Sequence, residues 1–173
     1  MIPLLVLATQ VAPPATPLEA PRLALEVLNS ATTGRKLVHF DDMVGPKARS
    51  IGPHDKARGL LVYATTLDCE ACESDLDKLD QAEEKVAKLG GSLVVVVLVE
   101  KREDAEAVRR ALAGSKRRSI VTLDTHGLAR GAFGFAAPRR TLAFRADGKS
   151  VASSSDGPDY ALKKLLELLE EDR

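Results

Sequence analysis

The sequence predicts an α/β fold, a three-layer α/β/α sandwich, and three features predict it. The run S-L-V-V-V-V-L-V-E at 92–100 is long, β-branched and apolar on both faces. Such a run suits a strand at the middle of a sheet that is covered on both sides. Around it, segments of helical period alternate with segments of strand length. The chain then closes with two short strands around A-D-G (146–148) and a leucine-striped helix.

Taken in order, 23–28 and 36–40 read as two strands of an N-terminal β-hairpin around the turn-rich N-S-A-T-T-G-R. A polar loop with Pro46, Gly52 and Pro53 leads to G-L-L-V-Y-A at 59–64, a continuous apolar run of buried-strand length. After Cys72 the period changes. Leu76, Leu79, Val86 and Leu89 fall at helical spacing until Gly90-Gly91 ends the element. Residues 104–113 form a charged amphipathic helix, 119–123 a strand and 127–133 a short helix. The turn A-D-G joins strands 141–144 and 149–153. Pro158, whose fixed φ suits a first helical turn, opens a last helix carrying Leu162, Leu165, Leu166 and Leu169 on one stripe.

The composition restricts function. Hydrophobic residues make up 45% and charged residues 29% of 173, enough to bury a core. Lysine plus arginine and aspartate plus glutamate number 25 each, so no basic field invites nucleic acid or an anionic membrane. With four Phe, two Tyr and no Trp, stacking platforms for bases are not expected. Ahead of the domain, residues 1–11 form an apolar run too short to span a bilayer as a helix. It resembles the core of an export signal, although no Lys or Arg precedes Arg22. Pro13, Pro14, Pro17 and Pro21 then mark a stiff linker outside the core. The expected division is a signal-like segment and linker at 1–21 and one domain at 22–173.

The only two cysteines stand in T-L-D-C-E-A-C-E, at 69 and 72. As a structural disulfide this pair constrains the unfolded chain little, because the loop it closes is short. Structural zinc needs four ligands, and His39, His54 and His126 supply no matching pair. Position favours a redox dithiol over these readings and over two unrelated core thiols. The pair lies where a buried strand passes into a helix, and the N-terminal peptide dipoles there favour a thiolate. Cys69 is then the attacking thiol, and Cys72, one turn on, resolves the mixed disulfide.

With strand, C-x-x-C, helix, strand, helix, strand, isolated proline, hairpin and helix, the chain resembles the thioredoxin-like proteins. It is most similar to the extracytoplasmic thiol–disulfide oxidoreductases of the TlpA type, which include the thiol reductases of cytochrome c maturation. The likeness spans 22–171. It rests on G-L-L-V-Y-A-T-T-L-D-C-E-A-C, on D-A-E-A-V-R-R-A-L as the helix inserted in that branch, and on the run from V-T-L-D through A-A-P-R-R to A-D-G. The resemblance implies a disulfide reductase acting on exported proteins, fed by an upstream thiol electron donor. It implies no cofactor beyond the Cys69–Cys72 dithiol, an extracytoplasmic location (periplasmic or membrane-tethered) and a monomer. Pro138 takes the place of the family's cis-proline, facing the dithiol and docking substrate together with Ala137 and Arg139. Asp75 stands where many members carry a glutamate, and by that match assists proton transfer with Cys72; a solvated acid in the first helical turn is the other reading.

Departures from the family pattern bear on activity. Asp68 replaces the usual Trp before the first cysteine, Ala71 the usual Pro before the second, and Arg139-Arg140 the pair after the proline. Asp68, Glu70, Glu73 and Asp75 bring negative charge to the sulfurs, with Asp68 and Glu70 as expected tuning residues. A nearby like charge disfavours the thiolate. The helix dipole offers about 0.3–1 kcal/mol, less than one pKa unit, so a single carboxylate can cancel it. Thiolate destabilisation makes the dithiol the better reductant. Two alternatives stay open: a copper-handling protein using the soft thiolates, and a redox-silent adaptor that keeps only the fold.

Overall fold

The computed structural model describes residues 17–46, 48 and 56–171. The chain begins with β1 (Ala24–Val27), α1 (Ser30–Thr33), β2 (Leu37–His39) and α2 (Phe40–Met43). It continues through β3 (Gly59–Thr65), α3 (Glu70–Lys88), β4 (Gly91–Leu98), α4 (Asp104–Leu112) and β5 (Ile120–Asp124). The last elements are α5 (Leu128–Phe133), β6 (Thr141–Arg145), β7 (Ser150–Ser154) and α6 (Asp159–Glu171). Seven strands make one mixed sheet in the order β2-β1-β5-β4-β3-β6-β7.

At the centre, β3 runs parallel to β4 from Gly59↔Gly91 to Thr65↔Val97. On its other side it pairs antiparallel with β6, from Gly59↔Arg145 to Tyr63↔Thr141. Every residue of β3 is buried, which explains its unbroken apolar run. Alternation sends its side chains to two cores. Leu60, Val62 and Ala64 join the core under α2 and α5, and that core gathers all four phenylalanines of the chain. Phe133 sits among the other three, with ring centres 4.9 Å from Phe40, 5.2 Å from Phe135 and 6.0 Å from Phe144. Leu61 and Tyr63 face the opposite core, against Leu79 and Val86 of α3 and Leu165 and Leu169 of α6. Close approach there requires glycine. A Cβ on Gly59 would lie 2.6 Å from Leu165 Cδ1, and one on Gly91 would lie 2.7 Å from both Val86 Cγ1 and Leu169 Cδ1.

The expected hairpin is present, with Ala24↔His39 and Glu26↔Leu37 in register. Its turn contains α1, and the buried Asn29 ties it to the start of β5. The Asn29 amide donates to the carbonyls of Arg117 (2.9 Å) and Ser119 (2.8 Å), and its oxygen accepts the Val121 N–H at 3.0 Å. Two expectations change. The second strand ends at His39, because Phe40 turns into the core as the first residue of α2. The linker expectation also fails at its end: Leu18 and Ala20 pack against the core, and Glu19 forms a bridge with Lys149. Backbone hydrogen bonds from Ser150 N–H to Leu18 O (2.8 Å) and from Ala20 N–H to Gly148 O (2.7 Å) fix that segment. The proposed export segment, together with Gly52 and Pro53 of the polar loop, lies outside the described residues. Among the described residues no helix is long and apolar enough to cross a membrane.

Leu165 is fully buried between α6 and β3. Truncation to alanine leaves a cavity there, so Leu165→Ala is expected to lower unfolding free energy by about 2–5 kcal/mol. Urea denaturation measures this; a loss below about 1 kcal/mol would show that α6 does not carry the core in this way.

Candidate active site

The cysteines sit where β3 leaves the sheet. After Thr65 the chain loops through Thr66, Leu67 and Asp68, and Cys69 becomes the cap of the 19-residue α3. The Cys69 N–H reaches Thr66 O at 3.4 Å, and the Cys72 N–H reaches Cys69 O at 3.1 Å. The two sulfurs are joined at 2.04 Å, with Cα atoms 5.3 Å apart. Cys69 is half-buried whereas Cys72 is 1% exposed. Leu67, 52% exposed, projects beside them.

Two clefts flank this loop. One, about 190 Å³, has both cysteines in its wall with Leu76, Val95, Val97, Leu112 and Val121, and Glu73 and Arg117 at its charged part. The other, about 410 Å³, runs between Thr66–Asp68, the end of β4, the start of α4 and Pro138. Pro138 thus lines the same cleft as the dithiol loop. Ala137 beside it is exposed, and Arg139 is half-buried.

Pro138 itself requires a correction. No peptide bond among the described residues is cis, so the expected cis-proline is trans. The chain reverses instead at Arg139, whose φ of 66° makes it the one described non-glycine residue with positive φ. Proline followed by a left-handed residue is the residue order of a type II turn. That conformation is unfavourable for arginine, and its surroundings hold it there. The Arg139 N–H donates to Ala64 O at 2.8 Å, the Ala64 N–H donates to Arg140 O at 2.8 Å, and the Gly157 N–H donates to Arg139 O at 3.0 Å.

The Arg139 side chain reaches Asp75. This aspartate is only 2% exposed and faces inward on α3, so the solvated-acid reading does not hold. Arg139 Nε–H donates to Asp75 Oδ2 at 2.8 Å, and the buried Tyr63 hydroxyl donates to the same oxygen at 2.9 Å. Burial first, and then the bond to Asp75, push the Tyr63 phenol well above the usual tyrosine range. Hydrogen bonding to Asp75 raises the Arg139 guanidinium in turn. A second arm of the guanidinium, Nη1, holds the exposed Asp156 at 2.7 Å.

The four acids around the sulfurs therefore divide. Glu73 is paired with Arg117, which also binds Asp77 at 3.2 Å and Asp80 at 3.0 Å. Asp75 is paired with Arg139. Asp68 and Glu70 are exposed and form no ion pair among the described residues. A hydrogen bond with the Thr66 side chain holds the Asp68 carboxyl below its ordinary range. Sequence reasoning missed Tyr63, Arg117 and Gly157. A lone phenol inside an aliphatic strand was a usable signal for Tyr63; Arg117 lies more than forty positions from the dithiol in the chain and offers none. Among the described residues no group of three or more His, Cys, Asp or Glu is arranged to hold a metal ion.

No family model and no curated protein matches the chain. Solved structures do. A putative thioredoxin from Neisseria meningitidis aligns with a TM-score of 0.66 at 16% identity, over 90% of this chain and 92% of its own. A putative thiol:disulfide interchange protein DsbE from Chlorobium tepidum aligns at 0.63 and 19%, over 89% and 97%. A secreted Mycobacterium tuberculosis disulfide oxidoreductase, homologous to E. coli DsbE, aligns at 0.56 and 12%, over 87% and 96%. The chain has a thioredoxin-like fold.

Gly157 allows the arginine and aspartate to meet. Its φ is +89°, and a Cβ there would lie 3.0 Å from Arg139 Nη2 and 3.1 Å from both Asp75 oxygens. Gly157→Ala is expected to cost about 1–3 kcal/mol of stability in urea unfolding; an unchanged midpoint would show that the contact gives way freely.

Proposed function

We propose that this thioredoxin-like chain is a thiol–disulfide oxidoreductase that reduces disulfides in exported proteins. One observation carries the reading: the half-buried Cys69 caps a long helix at the end of the central strand, bonded to the buried Cys72. A helix N-terminus favours an anion, and the accessible sulfur is the one placed there.

In the reduced protein the Cys69 thiolate attacks one sulfur of a substrate disulfide. A bond forms between Cys69 and substrate, the substrate's own S–S bond breaks, and its departing thiolate takes a proton. Cys72 then loses its proton and attacks Cys69 Sγ. This releases the second substrate sulfur as a thiolate, which is protonated, and leaves the Cys69–Cys72 disulfide. Two electrons have passed to the substrate, and an upstream dithiol donor returns them by the same exchange in reverse. The substrate chain lies along the proline turn, where Pro138 lines the cleft shared with Leu67 and Asp68 and is flanked by Ala137 and Arg139. No further cofactor enters.

Electron flow toward the substrate follows from charge. Asp68 and Glu70, without an ion pair among the described residues, stand beside the first thiol and oppose the helix dipole, so the thiolate gains little. A poorly stabilised thiolate leaves the reduced form a good electron donor. The apolar run at the start of the chain supports export, as does the likeness to a secreted oxidoreductase.

Cys69→Ser is expected to abolish reduction of insulin disulfides. In Cys72→Ser the first exchange proceeds and the second cannot, so substrate accumulates as a mixed disulfide on Cys69, visible in non-reducing gels. Capture of nothing, together with no insulin reduction by the wild type, would remove the reading. For direction, titration of the Cys69 thiolate at 240 nm is expected to give a midpoint at or above about pH 7. A midpoint well below 7 would reverse the assignment from reductant to oxidant.

A further inference from the structure

The buried carboxylate of Asp75 lies three residues after Cys72 on α3, so the two side chains occupy one helix face with Cβ atoms about 5–6 Å apart. An uncompensated negative charge at that distance disfavours a thiolate on Cys72. Cys72 must become a thiolate to attack Cys69 and release the substrate, so this charge bears directly on the resolving step. Its balance depends on a few groups. Tyr63, from β3, is a neutral donor at 2.9 Å. Lys78, from α3, is 3.9 Å from Asp75 Oδ1 and has its own closer partner, Asp159, at 2.8 Å. Arg139, from the proline turn, is the only cation at hydrogen-bond distance from this carboxylate among the described residues, at 2.8 Å.

Arg139 is also held in place by its backbone. Three main-chain hydrogen bonds fix the left-handed turn, and Asp156 steadies the outer arm of the guanidinium. Gly157 leaves the space in which the pair forms. These contacts hold the guanidinium at the Asp75 carboxylate despite the unfavourable backbone conformation.

We propose that Arg139 is a positioning residue of the resolving step: by cancelling the Asp75 carboxylate one helical turn from Cys72, it sets how readily the Cys72 thiol gives up its proton. The inference rests on the dithiol reading above and adds to it. Arg139 acts through Asp75, and Asp75 acts on Cys72 as a fixed charge whose sign is neutralised by its partner. The proton of Cys72 then passes to solvent or to the departing substrate thiolate.

The two partners have opposite signs, so their removal must move Cys72 in opposite directions, which a merely structural role does not predict. In a Cys69→Ser background, with Cys72 as the only thiol, thiolate absorbance at 240 nm is followed against pH. Arg139→Gln is expected to move the midpoint up by about one pH unit, a roughly tenfold smaller thiolate fraction at pH 7. Asp75→Asn, which leaves the guanidinium unopposed, is expected to move it down by a similar amount. The Asp75→Asn/Arg139→Gln pair returns it to within about threefold of the parent, and Arg139→Lys holds it there. Should Arg139→Gln fail to fold, the downward shift in Asp75→Asn still decides. The inference is overturned if Asp75→Asn leaves the midpoint unchanged or raises it, if the two single variants move it the same way, or if the double variant keeps either shift. Insulin reduction by the wild type is measured separately: its absence removes the oxidoreductase reading, whereas activity with unmoved Cys72 midpoints removes only the role of Arg139.

Discussion

Two backbone hydrogen bonds hold the site together: Arg139 N–H to Ala64 O and Ala64 N–H to Arg140 O, each 2.8 Å. They extend the β3–β6 pairing beyond the last strand pair, where β3 is about to become the dithiol loop and the proline turn is about to become β6. Strand pairing fixes separation at about 5 Å, so the turn must face the cysteines once β3 and β6 are in register. The rest of the site depends on this constraint. Pro138 lines the same cleft as Leu67 and Asp68, and the Arg139 side chain is close enough to reach back into α3.

That reach changes the electrostatics of the dithiol. Four acids crowd the cysteines in the chain, and a count of charges alone makes the surroundings strongly negative. Folding brings Arg117 to Glu73 and Arg139 to Asp75, leaving Asp68 and Glu70 as the two of the four without an ion pair among the described residues. The two compensated acids differ in consequence. Glu73 itself lies toward water, and its half-buried arginine is shared with Asp77 and Asp80. Asp75 is buried, and a buried carboxylate without its partner is strongly unfavourable. Two donors, from Arg139 and Tyr63, converge on one of its oxygens. The same desolvation that requires the pairing also strengthens the field it exerts on Cys72.

Much of the architecture was legible in order along the chain. The central strands announced themselves because burial on both faces demands an unbroken apolar run, as in β3 and β4. The long helices did so through leucine and valine spacing. The hairpin, the closing strands and the place of the cysteines followed from the same rules. Two features were misjudged for a shared reason. Phe40 reads locally as the end of a strand, yet it turns inward because three other phenylalanines wait beneath it. Leu18 and Ala20 read as linker, yet they close over the β6–β7 turn. In both cases a distant partner overrode the local preference.

What the sequence by itself determined is the chemistry available: two thiols at a strand-to-helix junction and acids around them. Those depend on order and spacing, which local physics reads directly. Only the tertiary structure decided which acids find an arginine partner, that the proline turn lies across from the dithiol loop with its proline trans, and that an arginine in left-handed conformation turns toward the carboxylate behind Cys72. Each is a contact between segments dozens of residues apart, and burial sets its strength. Neither the partner nor the burial is encoded in any local stretch of the chain.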